Sequence, residues 1–269
     1  TAIIGGFIIS LLGGSSVQIG GPTGAFIIII YGIIQQYGEK GLLLATLLAG
    51  VILLVMGIFK LGTIIKFIPY PIIIGFTSGI AVTIFTTQIA DVFGLSFGDD
   101  KVPGDFIGKW IMYFKHFTSI NWWETLISFL SIGLIIITPR FSKKIPGSLV
   151  AIVLVTILVY ILKTWLGITG IDTIGDRFTI SATLPDAEIP KLDYESVKSL
   201  IPVSITIAVL GAVESLLSAT VADGVIGQKH NSNTELIAQG AANIVVPLFG
   251  GIPATGAIAR TMTNINNGG

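Results

Sequence analysis

The chain has no cysteine and only two histidines, and just 11% of its 269 residues are charged. Soluble domains carry about 25% charge. Fifteen basic residues balance fifteen acidic ones, so formal net charge is zero and nothing argues for nucleic acid. The missing cysteines say little about compartment, because helix bundles in lipid need no disulfides. No basic n-region of a signal peptide opens the chain. The sequence has no His/Cys cluster at metal spacing, Ser-His-Asp arrangement or phosphate loop, so neither a cofactor nor a metal is expected and an enzyme is disfavoured. Apolar residues, by contrast, make up 52% of the chain, and mean hydropathy is +0.89. The composition is that of a polytopic membrane protein embedded in a lipid bilayer.

Two glycine-rich stretches organise the chain. One is Gly20-Gly21-Pro22-Thr23-Gly24-Ala25; the other is Gly250-Gly251-Ile252-Pro253-Ala254-Thr255-Gly256-Ala257. Each follows an apolar segment that begins at a threonine, Thr1 or Thr234. Proline at a first helical position fixes φ and sacrifices an N–H that lacks a partner anyway. Small residues then leave the next N–H groups open, and the helix dipole places about half a positive charge there. The pattern predicts two half-helices, from Pro22 and from Pro253, meeting head-on near mid-membrane. Paired interruptions of this kind point to a transporter site between inverted repeats.

About 20 apolar residues are needed to cross a bilayer. Residues 1–12 are too few and read as the end of a helix cut at its start, in a chain expected to be an internal piece of a longer protein. Residues 13–21 read as irregular backbone, tolerable at membrane depth only under cover of protein or a watery cavity. Spans are expected over residues 22–37, 42–59, 69–92, 124–138, 146–165 and 201–222, the last broken by Glu214, with a tight turn at 38–41. Residues 234–248 form the helix leading to the second glycine stretch. Residues 94–120 read as a loop with one interfacial helix, and 167–199 as a polar loop with short strands around 178–180. Lys60, Lys66, Arg140, Lys143, Lys144 and Lys229 fall on one side, which the positive-inside rule places in the cytoplasm. The two acidic loops then fall outside the cell, and 167–199 is expected to contribute nothing to an anion site.

Glu214 is the residue whose chemistry stands out. A charge at the bilayer centre costs about 2.5–3.5 kcal/mol on insertion scales, so it must face the bundle interior. It is either a coupling-ion or proton site or a structural partner for a helix end or for Arg260. Ser218 lies one turn on and shares its face. Arg260 either adds a positive field to an anion site or snorkels to the interface. The hydroxyls of Thr23 and Thr255 can reach a substrate or cap a helix. Gln18, in the broken stretch, is a further candidate donor. Asp91 and Asp223 read as boundary residues, and His116 and His230 as solvated loop residues.

Four motifs carry a family resemblance: Gln18-Ile19-Gly20-Gly21-Pro22-Thr23-Gly24, Ile68-Pro69-Tyr70-Pro71-Ile72-Ile73-Ile74-Gly75-Phe76-Thr77-Ser78-Gly79, Gly211-Ala212-Val213-Glu214-Ser215-Leu216-Leu217, and residues 250–260 followed by Thr263-Asn264-Ile265. Together they resemble the SulP anion permeases, the sulfate/bicarbonate transporter group. That resemblance implies an all-α polytopic fold of the 7+7 inverted-repeat type, truncated here at both ends. Residues 1–269 would be a partial transport domain, about segments 2 to 10, without a STAS domain. It implies an anion held near Thr23, Gly256 and Ala257, and the expected substrate-binding set adds Gln18, Gly24, Thr255 and Arg260. It also implies a coupling ion at Glu214 and Ser218, and a bacterial cell membrane location. Sodium-coupled members have Asp, Thr and another hydroxyl residue where this chain has Glu214, Ser218 and Ile258, which favours a proton over sodium. A homodimer formed through parts outside this chain is expected. The competing readings are a nucleobase permease of the uracil-permease type and an uncoupled anion channel.

Overall fold

The computed structural model describes residues 1–63, 70–98, 100, 102–141, 145–177, 186–188, 190 and 193–269. The expected strands around 178–180, and Ile68, Pro69, Lys66, Lys143 and Lys144, lie outside them. The chain is helical almost throughout and divides into two compact units, Thr1–Phe76 with Thr183–Gly269, and Thr77–Ala182.

The first unit opens with helix α1, Ala2–Leu12. Irregular backbone follows, then a two-residue strand β1, Gly20–Gly21, and a 3-10 turn over Gly24–Phe26. Helix α2 is Ile27–Ile58. It is interrupted at Gly38, whose φ of 70° and ψ of −177° no helix accommodates. The expected four-residue turn is thus a single left-handed residue, a conformation glycine adopts without steric cost. Residues 39–58 rise about 30 Å at 1.5 Å per residue, one bilayer core. Helix α3, Tyr70–Phe93, starts in this unit and continues into the second.

Later in the chain, α8 spans Tyr194–Ile226, capped by Asp193, whose carboxylate accepts from the N–H groups of Glu195 and Ser196. It ends at Gly227, in the left-handed region. Glu214 does not break this helix. Glutamate is a good helix former, and its side chain finds its partner on another segment. Helix α9 covers Ser232–Val245, with Asn231 as its cap, and a 3-10 turn follows over Val246–Phe249. Strand β2, Thr255–Gly256, and helix α10, Ile258–Asn266, close the unit. His230 is not solvated: its ring nitrogen Nδ1 lies 2.7 Å from Asp223 and its Nε2 2.9 Å from the Ser232 hydroxyl. Asp223 also accepts from the His230 N–H, and so pins the turn between α8 and α9.

The buried core of this unit joins Phe26, Ile33, Leu42 and Leu53 to Leu200, Ile207 and Leu216 of α8 and Leu236 of α9. Lipid tails are as apolar as leucine, so van der Waals packing rather than water exclusion must hold such helices together. Glycines allow it. A Cβ on Gly50 of α2 would lie 2.6 Å from the Ile244 nitrogen, and one on Gly240 of α9 would lie 2.6 Å from the Leu54 nitrogen. The two backbones are effectively in contact.

In the second unit, helix α4, Phe106–Lys115, is the expected short helix of the 94–120 segment. Asp105 caps it by accepting from the Gly108 N–H at 2.6 Å. Met112 and Tyr113 are buried, while Phe106, Ile107, Ile111 and Phe114 stay exposed, a helix that presents apolar side chains outward. His116, just past this helix, is held by Met112 O at 3.1 Å rather than left in solvent. Helices α5, Trp122–Phe141, and α6, Gly147–Trp165, pair as long apolar helices. The short α7, Ile174–Arg177, follows. Arg177 reaches Asp172 at 3.2 Å, Glu124 at 3.3 Å and Asp91 at 3.5 Å, so Asp91 is a partner in an ion cluster. Lys163 contacts Asp176 at 2.6 Å. That ammonium, with the Thr173 hydroxyl and N–H, holds the Asp176 carboxyl well below the usual carboxylate range.

Among the described residues, four helical stretches are long and apolar enough to cross a membrane: Ile29–Ile58, Trp122–Phe141, Gly147–Trp165 and Tyr194–Ile226.

Closing the α2–α9 contact with a methyl group tests the packing. Gly240→Ala should lower stability by about 1–3 kcal/mol through overpacking, despite a helix-propensity gain of about 1 kcal/mol. Gly32→Ala, with nothing within 4 Å of its added carbon, should be neutral or stabilising. Thermal unfolding of the full-length protein in detergent reads both; equal behaviour would show that the helices can separate at no cost.

Candidate functional site

The two glycine stretches meet. Strand β1 pairs antiparallel with β2, Gly20 opposite Gly256 and Gly21 opposite Thr255. The Ala257 N–H extends the pairing by donating to the Ile19 carbonyl at 2.9 Å. The expected half-helix starts shift accordingly. Pro22 and Pro253 are not first helical residues: the first helix begins at the Gly24 turn and the second at Ile258, capped by Ala257. Four residues after Pro253 are drawn out to form the pairing, because an extended N–H and C=O at membrane depth must find partners. The result is two helix starts joined through a strand-like seam, each leaving first-turn N–H groups without intrahelical partners.

Helix α8 runs alongside this seam. Glu214 accepts from the Thr23 hydroxyl at 2.9 Å. Ser218, one turn on, lies 3.3 Å from the Thr261 hydroxyl of α10. Thr261 in turn accepts from the Ile19 N–H at 3.1 Å. Thr255 donates to the Gly211 carbonyl at 2.9 Å. So Glu214 contacts the start of the first half-helix, and Ser218 reaches the second. Glu214 and Thr23 are only partly buried; Ser218, Thr255, Gly256 and Ala257 are buried.

Arg260 is exposed and donates to the Pro22 carbonyl at 2.9 Å. It therefore ties α10 to the first stretch, with its guanidinium packed over Gly21. Gln18 is buried, at 4% exposure. Its amide nitrogen lies 3.0 Å from the Ser215 hydroxyl and 2.8 Å from Glu235, which uses both of its N–H groups. Its oxygen has no partner among the described residues. A Cβ on Gly256 would run into this amide.

Two residues that sequence reasoning passed over complete the site's frame. Asn243 of α9 donates to the Ala254 carbonyl at 2.7 Å and accepts from the Ala254 N–H at 2.8 Å. Glu235 is fully buried in the first turn of α9. It accepts from the Gly14 N–H, the Gln18 and Gln239 amides and the Ser215 hydroxyl, at 2.9, 2.8, 2.8 and 3.1 Å. The available signal was the polar face of that helix: Glu235, Gln239 and Asn243 recur every four residues, one side of a helix. Among the described residues no group of three or more His, Cys, Asp or Glu gathers to hold a metal.

The description "sulfate permease family" matches residues 1–269, the whole chain. The chain belongs to the sulfate permease family. YvdB of Bacillus subtilis (strain 168), which carries a provisional sulfate-transporter name, is 45% identical over 100% of this chain and 50% of its own length. The bicarbonate transporter BicA of Synechocystis sp. (strain ATCC 27184 / PCC 6803 / Kazusa) is 32% identical over 100% of this chain and 47% of its own. The solved transmembrane domain of a cyanobacterial bicarbonate transporter BicA superposes with a TM-score of 0.83 at 31% identity, covering 100% of this chain and 68% of that one. This chain thus spans about half the length of these curated relatives. It is a multi-pass membrane protein of the SulP fold, in a family of transporters rather than enzymes.

The Asn243 clamp is directly testable. Asn243→Ala would strand the buried N–H and C=O of Ala254, at about 1–3 kcal/mol for a group left unsatisfied. A thermal midpoint of the full-length variant equal to the parent's would show that the second stretch holds its course without the clamp.

Proposed function

We propose that the full-length protein is a secondary active transporter of a small anion such as sulfate, bicarbonate or a dicarboxylate, coupled to a proton. The observation that carries this reading is the β1–β2 seam, with two helix starts beside it and Glu214 touching the first through Thr23. Helix N-termini attract anions through open N–H groups and the dipole. The anion is held by the Thr23–Gly24 and Gly256–Ala257 backbone, with the hydroxyls of Thr23 and Thr255 nearby. Arg260, bonded to Pro22 at this junction, supplies a positive field to it. Gln18 supports the site from behind, and Ser218 shares the coupling site with Glu214. The names of the relatives, a bicarbonate transporter among them, support the substrate class. The proposal extends to a bacterial inner membrane, with a Bacillus relative in support, and to a homodimer formed through parts outside this chain.

Coupling follows from charge. An anion seated beside Glu214 disfavours a second negative charge there, so loading substrate draws in a proton, and release of the substrate frees it. Glu214→Gln fixes the neutral form at nearly the same volume. The variant should fold and exchange anion for anion, yet lose accumulation driven by a proton gradient. Uptake of labelled sulfate and bicarbonate into liposomes, with and without a pH gradient, is the measurement. Uphill uptake at the parent's level would make Glu214 structural and put the coupling group elsewhere.

The residue 94–120 and 167–199 segments are placed outside the cell. A single cysteine at Asp186, on a cysteine-free full-length background, should react with an impermeant maleimide in intact cells. Labelling only after permeabilisation would invert the topology.

A further inference from the structure

We propose that Glu235 is a positioning residue of the anion site and acts on it through Gln18; this rests on the proposed reading of that site. Glu235 has 0% exposure. A buried carboxylate is tolerable only with its lone pairs occupied. Here four donors occupy them, and they come from three parts of the chain: Gly14 and Gln18 in the irregular stretch, Ser215 on α8, and Gln239 one turn along α9. Glu235 is therefore a junction: without it the irregular stretch would lose its side-chain tie to α9 and keep the bond from the Asn231 N–H, at the α9 cap, to the Gly14 carbonyl at 2.9 Å.

The link to the site runs through one side chain. Both N–H groups of Gln18 are spent, on Glu235 and on Ser215. With both committed, the amide cannot rotate without stranding a buried donor. The locked amide lies against Gly256, where a Cβ would collide with it, and that same Cβ would approach the Ser215 Cα to 3.1 Å. The Gly256 backbone is thereby wedged between Gln18 and α8. An anion site made of backbone N–H groups has no side-chain freedom to correct an error, and a displacement of about 1 Å can cost on the order of 100-fold. Glu235 sets the position of Gln18, and Gln18 sets the position of Gly256. Gln239 shares the same carboxylate but lies on the same helix, outside this line, and serves as the internal control.

The test uses the full-length protein in liposomes, with labelled sulfate and labelled bicarbonate as probes. For whichever anion the parent carries, Glu235→Gln and Gln18→Ala should each raise KM about 10-fold or more with Vmax within about twofold, a loss of binding rather than of turnover. The double variant should be no worse than either single one, because the two residues act in series. Gln239→Leu should lower the thermal midpoint yet leave KM within about twofold of the parent. Glu235→Asp keeps the charge and serves in the same cycle if Glu235→Gln does not reach the membrane. An unchanged KM in the Glu235 variants, or losses that multiply in the double variant, would overturn the proposal. So would failure of both Glu235 variants to fold while Gln18→Ala folds and keeps the parent KM, since Glu235 would then serve the fold alone. A parent that carries neither anion overturns the reading of the site itself, and the proposal with it.

Discussion

Inside a bilayer every backbone N–H and C=O needs a partner from the protein, since an unsatisfied one costs several kcal/mol. The proposed site, made of interrupted helices, breaks that rule twice, at residues 13–23 and 250–257. Most of the surrounding structure can be understood as the repair. The two interruptions pair with each other through β1 and β2. Asn243 takes both polar groups of Ala254, Thr261 takes the Ile19 N–H, and Asn264 reaches the Val17 carbonyl at 3.0 Å. Glu235 takes the Gly14 N–H, and Arg260 takes the Pro22 carbonyl. Each repair joins one interruption to the other, to α9 or to α10, so satisfying the backbone also fixes the relative position of the two helix starts.

That arrangement needs a rigid support, and packing of α2 against α9 provides it. Gly50, Gly57 and Gly240 bring the helices so close that a Cβ at any of them would sit 2.6 Å from an atom of the other helix. The polar face of α9 can then point toward the interruptions while its small residues press on α2. A helix with buried Glu235, Gln239 and Asn243 would be poor in lipid on its own. It is stable here because its polar groups meet the polar backbone of the two interruptions, at Gly14 and Ala254.

Much of this was legible in the residues. The repeated Gly-Gly, Pro, Thr-Gly-Ala order announced two related interruptions, and hydropathy located the long helices. Trp122 and Gly147 start helices where a membrane boundary was expected. The helix starts were misjudged because proline at N1 is a local preference, whereas residues 253–257 answer to a partner more than 230 residues away. Glu214 interrupts the apolar run but not the helix, and its partner, Thr23, is distant in sequence. Glu235 went unnoticed for a related reason. An acid in the first turn of a helix is ordinary, and nothing local shows that three separated segments converge on it. His230 was mistaken for a solvated loop residue because its contact with Asp223 depends on how the turn between α8 and α9 closes.

The two acids near the proposed site differ in their surroundings. Glu235 is enclosed, and three of its four partners present N–H groups, which can donate but never accept. Glu214 is only partly buried, and its recorded partner is a hydroxyl. A hydroxyl donates to a carboxylate and accepts from a carboxylic acid with only a rotation. Pairs of titratable groups whose surroundings differ in this way commonly divide the labour of proton chemistry. The enclosed acid is built to hold one geometry. Glu214, beside a helix start, keeps a hydroxyl partner that suits either protonation state, which is what the proposed proton-coupled cycle requires of it.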